Sequence, residues 1–127
     1  MLSLLLFLFL IVFGIVSILI ALPLLDGRIK PNPLYGFRVL ATLENPKVWY
    51  AVNKYFAQRL RLAAVVEIIA AIALFVVPNM EPAMYVLSTL IVFVIAFTIG
   101  MINTSSYLKS LPRENEDNAG QPSLRNK

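Results

Sequence analysis

The sequence predicts an all-α, polytopic membrane protein: three transmembrane helices plus an amphipathic cytoplasmic or interfacial helix, arranged N-out/C-in. Three observations carry that reading. Apolar residues make up 59% of the 127 residues and mean hydropathy is +0.78, too oily for an ordinary soluble domain of this size. The apolar residues gather in three runs, each near the ~20 residues a helix needs to span hydrocarbon. The basic residues stand around those runs in one consistent pattern.

The first run, residues 1–25, is interrupted by Ser3, Gly14, Ser17 and Pro23 but by no charge. It has no basic n-region, exceeds a usual signal-peptide core and lacks a small-x-small site before Asp26, so it reads as a span rather than a cleaved leader. The second covers 60–78, with Arg61 at its edge and Glu67 inside, and the third covers 83–103 without charge. Continuous apolar runs, in place of ten-residue alternations, argue against a β-barrel. Residues 26–59 then form a loop, 79–82 a turn, and 104–127 a tail whose polar end from Pro112 is expected to be mostly disordered.

Charge sets the orientation. Of eleven basic residues, Arg28, Lys30, Arg38, Lys47, Lys54, Arg59 and Arg61 lie between the first and second runs, and Lys109, Arg113, Arg125 and Lys127 follow the third. The turn carries one acid, Glu81. By the positive-inside rule the amino terminus and the turn are outside, while the loop and tail are cytoplasmic. The net charge of +4 is thereby a topological signal, and a nucleic-acid partner is not expected. With no cysteine and no histidine, thiolate and imidazole metal sites and histidine-assisted nucleophiles are excluded. No cofactor, metal or catalytic set is expected, and binding is the better reading than catalysis.

The loop carries the densest information. In KPNPLYGFR, Pro31 and Pro33 fix their own dihedrals and push Lys30 and Asn32 toward extended backbone, and Gly36 permits a positive φ or a close approach. A rigid, shaped connector follows, with Tyr35 at the interface and Arg38 as a charged clamp. Arg38 has three candidate partners: lipid phosphate, Glu44 or Glu67. Farther on, Asn45 and Pro46 make a good helix start, as cap and first-turn proline. Over 45–59 one side of the wheel carries Val48, Trp49, Val52, Tyr55, Phe56 and Leu60, and the other Lys47, Tyr50, Lys54, Gln58 and Arg61. Two placements satisfy this pattern. The helix lies along the headgroup boundary, or it extends the second span into water with its greasy face packed on the loop.

Glu67 is the odd residue of the membrane part. A charged carboxylate there costs on the order of 3 kcal/mol, so it should face the bundle interior. At about 1.5 Å per residue, Glu67, Ser17 and Thr98 come to similar depth and could share one polar layer, with Gly14 and Gly100 allowing close helix approach. Such a layer either binds an ion, a proton or a peptide group, or holds a neutral carboxyl as helix glue.

The string IKPNPLYGFRVLATLENPKVWYAVNKYFA, from Ile29, resembles the signature of the SdpI family, integral membrane proteins named for an immunity protein against a secreted sporulation-delaying toxin. The residues that carry the resemblance are Pro31 and Asn32, Tyr35, Gly36 and Arg38, Thr42 and Leu43, then Trp49 and Asn53. Val39 and Leu40 stand where the family tends to have threonine and proline, and Ala57 where a glycine often follows the tryptophan helix. The resemblance implies a bacterial cell (inner) membrane protein that tolerates or senses a membrane-active toxin peptide. It implies as partners the bilayer, the toxin and a cytoplasmic regulator, with a homo-oligomer also open. Two other readings stand beside it: a small oligomeric proton-coupled exporter using Glu67, and a structural subunit of a membrane complex.

Overall fold

A computed structural model describes residues 1–112; the expected disorder of the tail beyond that point lies outside the described residues. The helices are α1 (Leu2–Leu25), α2 (Leu40–Glu44), α3 (Pro46–Phe75) and α4 (Pro82–Ser110). No strand occurs among the described residues. The chain is a membrane protein in character: α1 and α4 are each long and apolar enough to cross a bilayer. Large apolar side chains stand exposed along both helices, Phe9 at 63% and Val94 at 57% among them, an exposure that suits lipid rather than water.

Two helix ends differ from expectation, and the amphipathic segment takes one of the two forms left open. The amphipathic segment and the second apolar run are one unbroken α3 of 30 residues, about 45 Å at 1.5 Å per residue, which exceeds the ~30 Å hydrocarbon core. No proline or glycine interrupts residues 47–75, so nothing in the sequence breaks the helix where the amphipathic segment meets the second apolar run. At its far end α3 stops at Phe75, and Val76 to Glu81 make the connection, with Asn79 at φ 57°. Finally, α4 continues seven residues past the expected end of the third run, to Ser110. Thr104 there is buried and donates to the Gly100 carbonyl at 2.8 Å, a self-satisfied hydroxyl that lets the helix carry its polar end onward.

The central element is α3, antiparallel to both neighbours. Against α1, Phe7 meets Phe75, with ring centroids 4.4 Å apart. Leu10 and Ala71 share a buried cluster, and Ala21 and Leu24 pack with Ala57. Against α4, Tyr55 stacks on Tyr107 at 4.5 Å and 11°. A Cβ on Gly100 would come 3.0 Å from that of Arg59. The buried face of α1 is Leu10, Gly14, Ser17, Ala21 and Leu24, a three-four spacing of mostly small residues. The face of α3 that meets it includes Ala57, Ala64 and Ala71. Small side chains let the helices approach until backbone and side-chain atoms touch, which is how apolar helices associate where lipid removes the hydrophobic drive. This arrangement brings Arg28, Lys30, Arg38, Lys54, Arg59 and Lys109 to one end of the bundle and the Glu81 connection to the other.

Candidate functional site

At the basic end, the loop between α1 and α3 is a folded object built by the signature residues. The first helix closes with Gly27 at φ +67°. Arg28 N–H donates to the Pro23 carbonyl at 3.0 Å and Gly27 N–H to that of Leu24 at 3.3 Å, the bond pattern of a Schellman end. Asn32 then organises the turn. Its Oδ1 accepts from the backbone of Leu34 at 2.9 Å and of Tyr35 at 2.8 Å, and its Nδ2 donates to the Lys30 carbonyl at 2.8 Å. The flanking Pro31 and Pro33 hold the extended dihedrals this turn needs. Tyr35 reaches back and donates its hydroxyl to the Ile20 carbonyl of α1. Burial pushes the Tyr35 phenol up from its usual range, so it remains a donor.

Asn53 of α3 receives the loop. Its Oδ1 accepts from Phe37 N–H at 2.6 Å, and its Nδ2 donates to the Trp49 carbonyl at 3.1 Å and to the Phe37 carbonyl at 3.4 Å. One buried carboxamide thereby satisfies backbone groups of both the loop and the helix. Gly36 makes the approach possible: it sits at φ +111°, and a Cβ there would lie 2.4 Å from Asn53 Oδ1. Thr42 finishes the segment. Its hydroxyl donates to the carbonyls of Phe37 at 3.1 Å and Val39 at 2.8 Å, and it accepts from Val39 N–H at 3.0 Å, starting the short α2.

Trp49 is fully buried, and its indole Nε1 donates to the Ile29 carbonyl at 2.7 Å. Its greasy side is covered by the chain's own loop, which is the second of the two placements open from sequence. Trp49→Phe keeps most of the ring and removes one donor, and should cost about 1 kcal/mol because a part-buried carbonyl loses its partner. Thermal unfolding of the detergent-solubilised chain, followed by helical circular dichroism, checks this; an unchanged midpoint would contradict it. Arg38 does not reach Glu44 or Glu67: its guanidinium donates to the Pro33 carbonyl within the loop. Leu43 is exposed at 40% and takes no part in these bonds.

The expected intramembrane layer forms only in part. Glu67 is fully buried, and neither carboxyl oxygen has a hydrogen-bond partner. Gly14 of α1 faces it, so closely that a Cβ on Gly14 would lie 2.6 Å from Glu67 Oε2 and 2.4 Å from Ile68 Cγ1. Ser17 is buried one turn along, but its hydroxyl donates to the Phe13 carbonyl of its own helix at 2.9 Å. Thr98 is on the exposed face of α4, because matching depth does not fix which way a helix turns. In its place α4 presents Tyr85 and Thr89, both buried. Tyr85 donates its hydroxyl to the Ala71 carbonyl of α3 at 2.9 Å, and Ala71 lies one turn from Glu67 on the same face. Thr89, one turn beyond Tyr85, bonds the carbonyls of Val86 at 2.9 Å and Tyr85 at 3.1 Å. The signal that could have found this pair is its four-residue spacing, which puts two hydroxyls on one side of an otherwise apolar helix.

A cavity of about 290 Å³ opens at the end away from the basic loop, between Ser3, Phe75, Asn79, Met80 and Tyr85. It places Tyr85 between the cavity and the helix layer that holds Glu67. A fully buried carboxyl whose oxygens take no hydrogen bond from the described residues is suited to take a proton, a cation or a hydrogen-bond donor. No group of three or more metal-ligating side chains occurs among the described residues.

Fold and site together define a small helical membrane protein with a self-bonded loop at its basic end and a lone carboxyl in its interior. The chain belongs to the SdpI/YfhL protein family, whose family model matches residues 28–103, more than half of its length. No curated protein and no solved structure matches it.

Proposed function

We propose that this chain is a multi-pass bacterial inner-membrane protein that confers tolerance to, or senses, a membrane-active toxin peptide, acting by binding and not by catalysis. The observation that carries the reading is membership of the SdpI/YfhL family across the loop and both following helices. In this reading α3 crosses the bilayer with its apolar portion, so the protein has three spans, N-out and C-in. The segregation of Arg28, Lys30, Arg38, Arg59 and Lys109 to one end supports that orientation. The cavity beside Tyr85 then faces outward, toward a secreted peptide, and the basic loop faces the cytoplasm, where a regulator could be held.

Glu67 is the residue assigned to ligand capture in this account. A peptide amide or a basic side chain entering from the cavity would supply the donor that both carboxyl oxygens lack. The test is survival of toxin-sensitive bacteria expressing the chain and challenged with the secreted toxin peptide. Cells with the intact chain should survive, and cells with Glu67→Gln at equal expression should not. Death of both populations would contradict the reading.

The unpartnered Glu67 also favours a second reading, a small oligomeric exporter that exchanges protons for cations at this carboxyl. It predicts efflux of a lipophilic cation from proteoliposomes under a proton gradient, lost in Glu67→Gln. Absence of efflux with the intact chain would remove it.

A further inference from the structure

We infer that the groove between α3 and α4 at the basic end is a binding site for an anionic phospholipid, distinct from the Glu67 site. Two adjoining depressions make it, the first on the surface of α3 and the second between α3 and α4. One, about 480 Å³, is open and lined by Gln58, Arg59, Arg61, Leu62 and Val65. The other, about 180 Å³, continues from Arg59 and Leu62 between the helices, past Val66, Ala96, Ile99 and Asn103. Arg59 and Leu62 border both, so a charged mouth lies beside an apolar channel. That sequence of polarities is the sequence in a phospholipid, headgroup first and acyl chain after.

The mouth is preorganised for phosphate. Arg59 Nη2 donates to the Tyr55 hydroxyl at 2.6 Å, and its guanidinium lies 4.7 Å from the centre of the Tyr55 ring. Tyr55 is itself fixed by its stack on Tyr107. This support comes from two helices and leaves other N–H groups of the Arg59 fork for a ligand. Arg28 pairs with Asp26 at 2.9 Å, and no carboxylate among the described residues pairs with Arg59 or Arg61. Gly100 contributes by its size: a Cβ there would press on Arg59 Cβ at 3.0 Å, so glycine keeps α4 close while the channel beside it stays open.

Charge complementarity selects the occupant. Two guanidiniums at the lip of an apolar channel match an anionic headgroup better than a zwitterionic one, and each basic residue near a membrane surface favours anionic lipid by about fivefold. The depth agrees. Arg59 precedes Glu67 by eight residues, about 12 Å along α3, which sets the guanidiniums toward the end where the basic loop lies and the channel toward the bundle centre.

The experiment is native mass spectrometry of the full chain in detergent, titrated with dioleoyl phosphatidylglycerol, with dioleoyl phosphatidylcholine as the zwitterionic control and glycerol 3-phosphate as a chain-free competitor. The expected result is retention of phosphatidylglycerol over phosphatidylcholine. Arg61→Gln should weaken it about fivefold, and Arg59→Gln with Arg61→Gln by about 25-fold. Leu62→Trp, which fills the channel without changing charge, should weaken it too, whereas Lys54→Gln should leave it as it was. Equal retention of the two lipids, full retention by the double variant, or displacement by glycerol 3-phosphate at equimolar concentration would each overturn the proposal. Trp49 emission reports whether each variant stays folded. Should Arg59→Gln fail that check, the exposed Arg61 and Leu62 variants decide the matter.

Discussion

Gly36→Ala should unfold the loop from α3 and lower stability by roughly 3 kcal/mol or more. Two costs combine. Alanine must hold φ +111°, outside the favoured regions for a residue with a Cβ, and that Cβ would meet Asn53 Oδ1 at 2.4 Å. The carboxamide cannot simply retreat, because it bonds Phe37 N–H and the Trp49 carbonyl at once. Asn53→Ala should be comparably damaging for the complementary reason, since it leaves the buried Phe37 amide without an acceptor. As both changes break the same contact, the double variant should cost less than the sum of the two. Trp49 is the single tryptophan of the chain and is buried under the loop, so its emission reads loop docking directly. A red shift is expected for either single variant. Emission unchanged in Gly36→Ala would show that the loop does not depend on this contact.

Glu67→Leu should stabilise the protein and remove its function together. In the interior, a carboxyl with no hydrogen-bond partner is a desolvation cost without compensation. Leucine occupies a similar volume and removes that cost, which is on the order of 1–3 kcal/mol by comparison with other buried polar groups. A higher unfolding midpoint in detergent, with loss of toxin tolerance at equal expression, is the expected pair of results. If Glu67 served only to hold the helices together, the same substitution would lower the midpoint. Gly14→Val offers a control on the geometry, because its side chain would intrude on both Ile68 and Glu67 and should separate α1 from α3.

The parts of this structure that were legible in the sequence are those written in local chemistry. Asn45 and Pro46 announce the start of α3, and Asn45 Oδ1 does accept from Lys47 N–H at 3.0 Å. Pro31, Asn32 and Pro33 announce a shaped turn, and Gly36 a backbone position closed to other residues. The resemblance of residues from Ile29 onward to the SdpI family rested on these same positions and agrees with the family match. What local chemistry does not contain is rotation and partner choice. The sequence leaves Arg38 a choice of phosphate, Glu44 or Glu67, whereas in the fold it bonds the Pro33 carbonyl five residues away, because the turn built by Asn32 delivers Pro33 to it. Thr98 and Glu67 were matched by depth along their helices, but the azimuth of α4 is set by packing of Tyr85, Thr89 and Gly100 against α3, which turns Thr98 outward. The change of polarity between the amphipathic segment and the second apolar run leaves open whether the helix lies along the boundary or extends the span. A helix crossing from water into lipid needs no break there, only a change in what its faces touch.

Asn32, Tyr35, Gly36, Thr42, Trp49 and Asn53 bond to, or make room for, the backbone of the loop and of the helices it joins, so their side chains are largely consumed in building the loop. The signature therefore defines a fold element, and the chemically unspent groups lie elsewhere: Glu67 in the interior and Arg59 with Arg61 at the groove. That division is why the toxin reading assigns capture to Glu67 and not to the loop.

The most direct test of that assignment is binding of purified sporulation-delaying toxin peptide to the full chain in nanodiscs, with wild type and Glu67→Leu compared by a fluorescent label on the peptide. The account predicts saturable binding by the wild type, reduced to the level of empty nanodiscs in Glu67→Leu although that variant is at least as stable. Saturable binding of equal strength by both would contradict it.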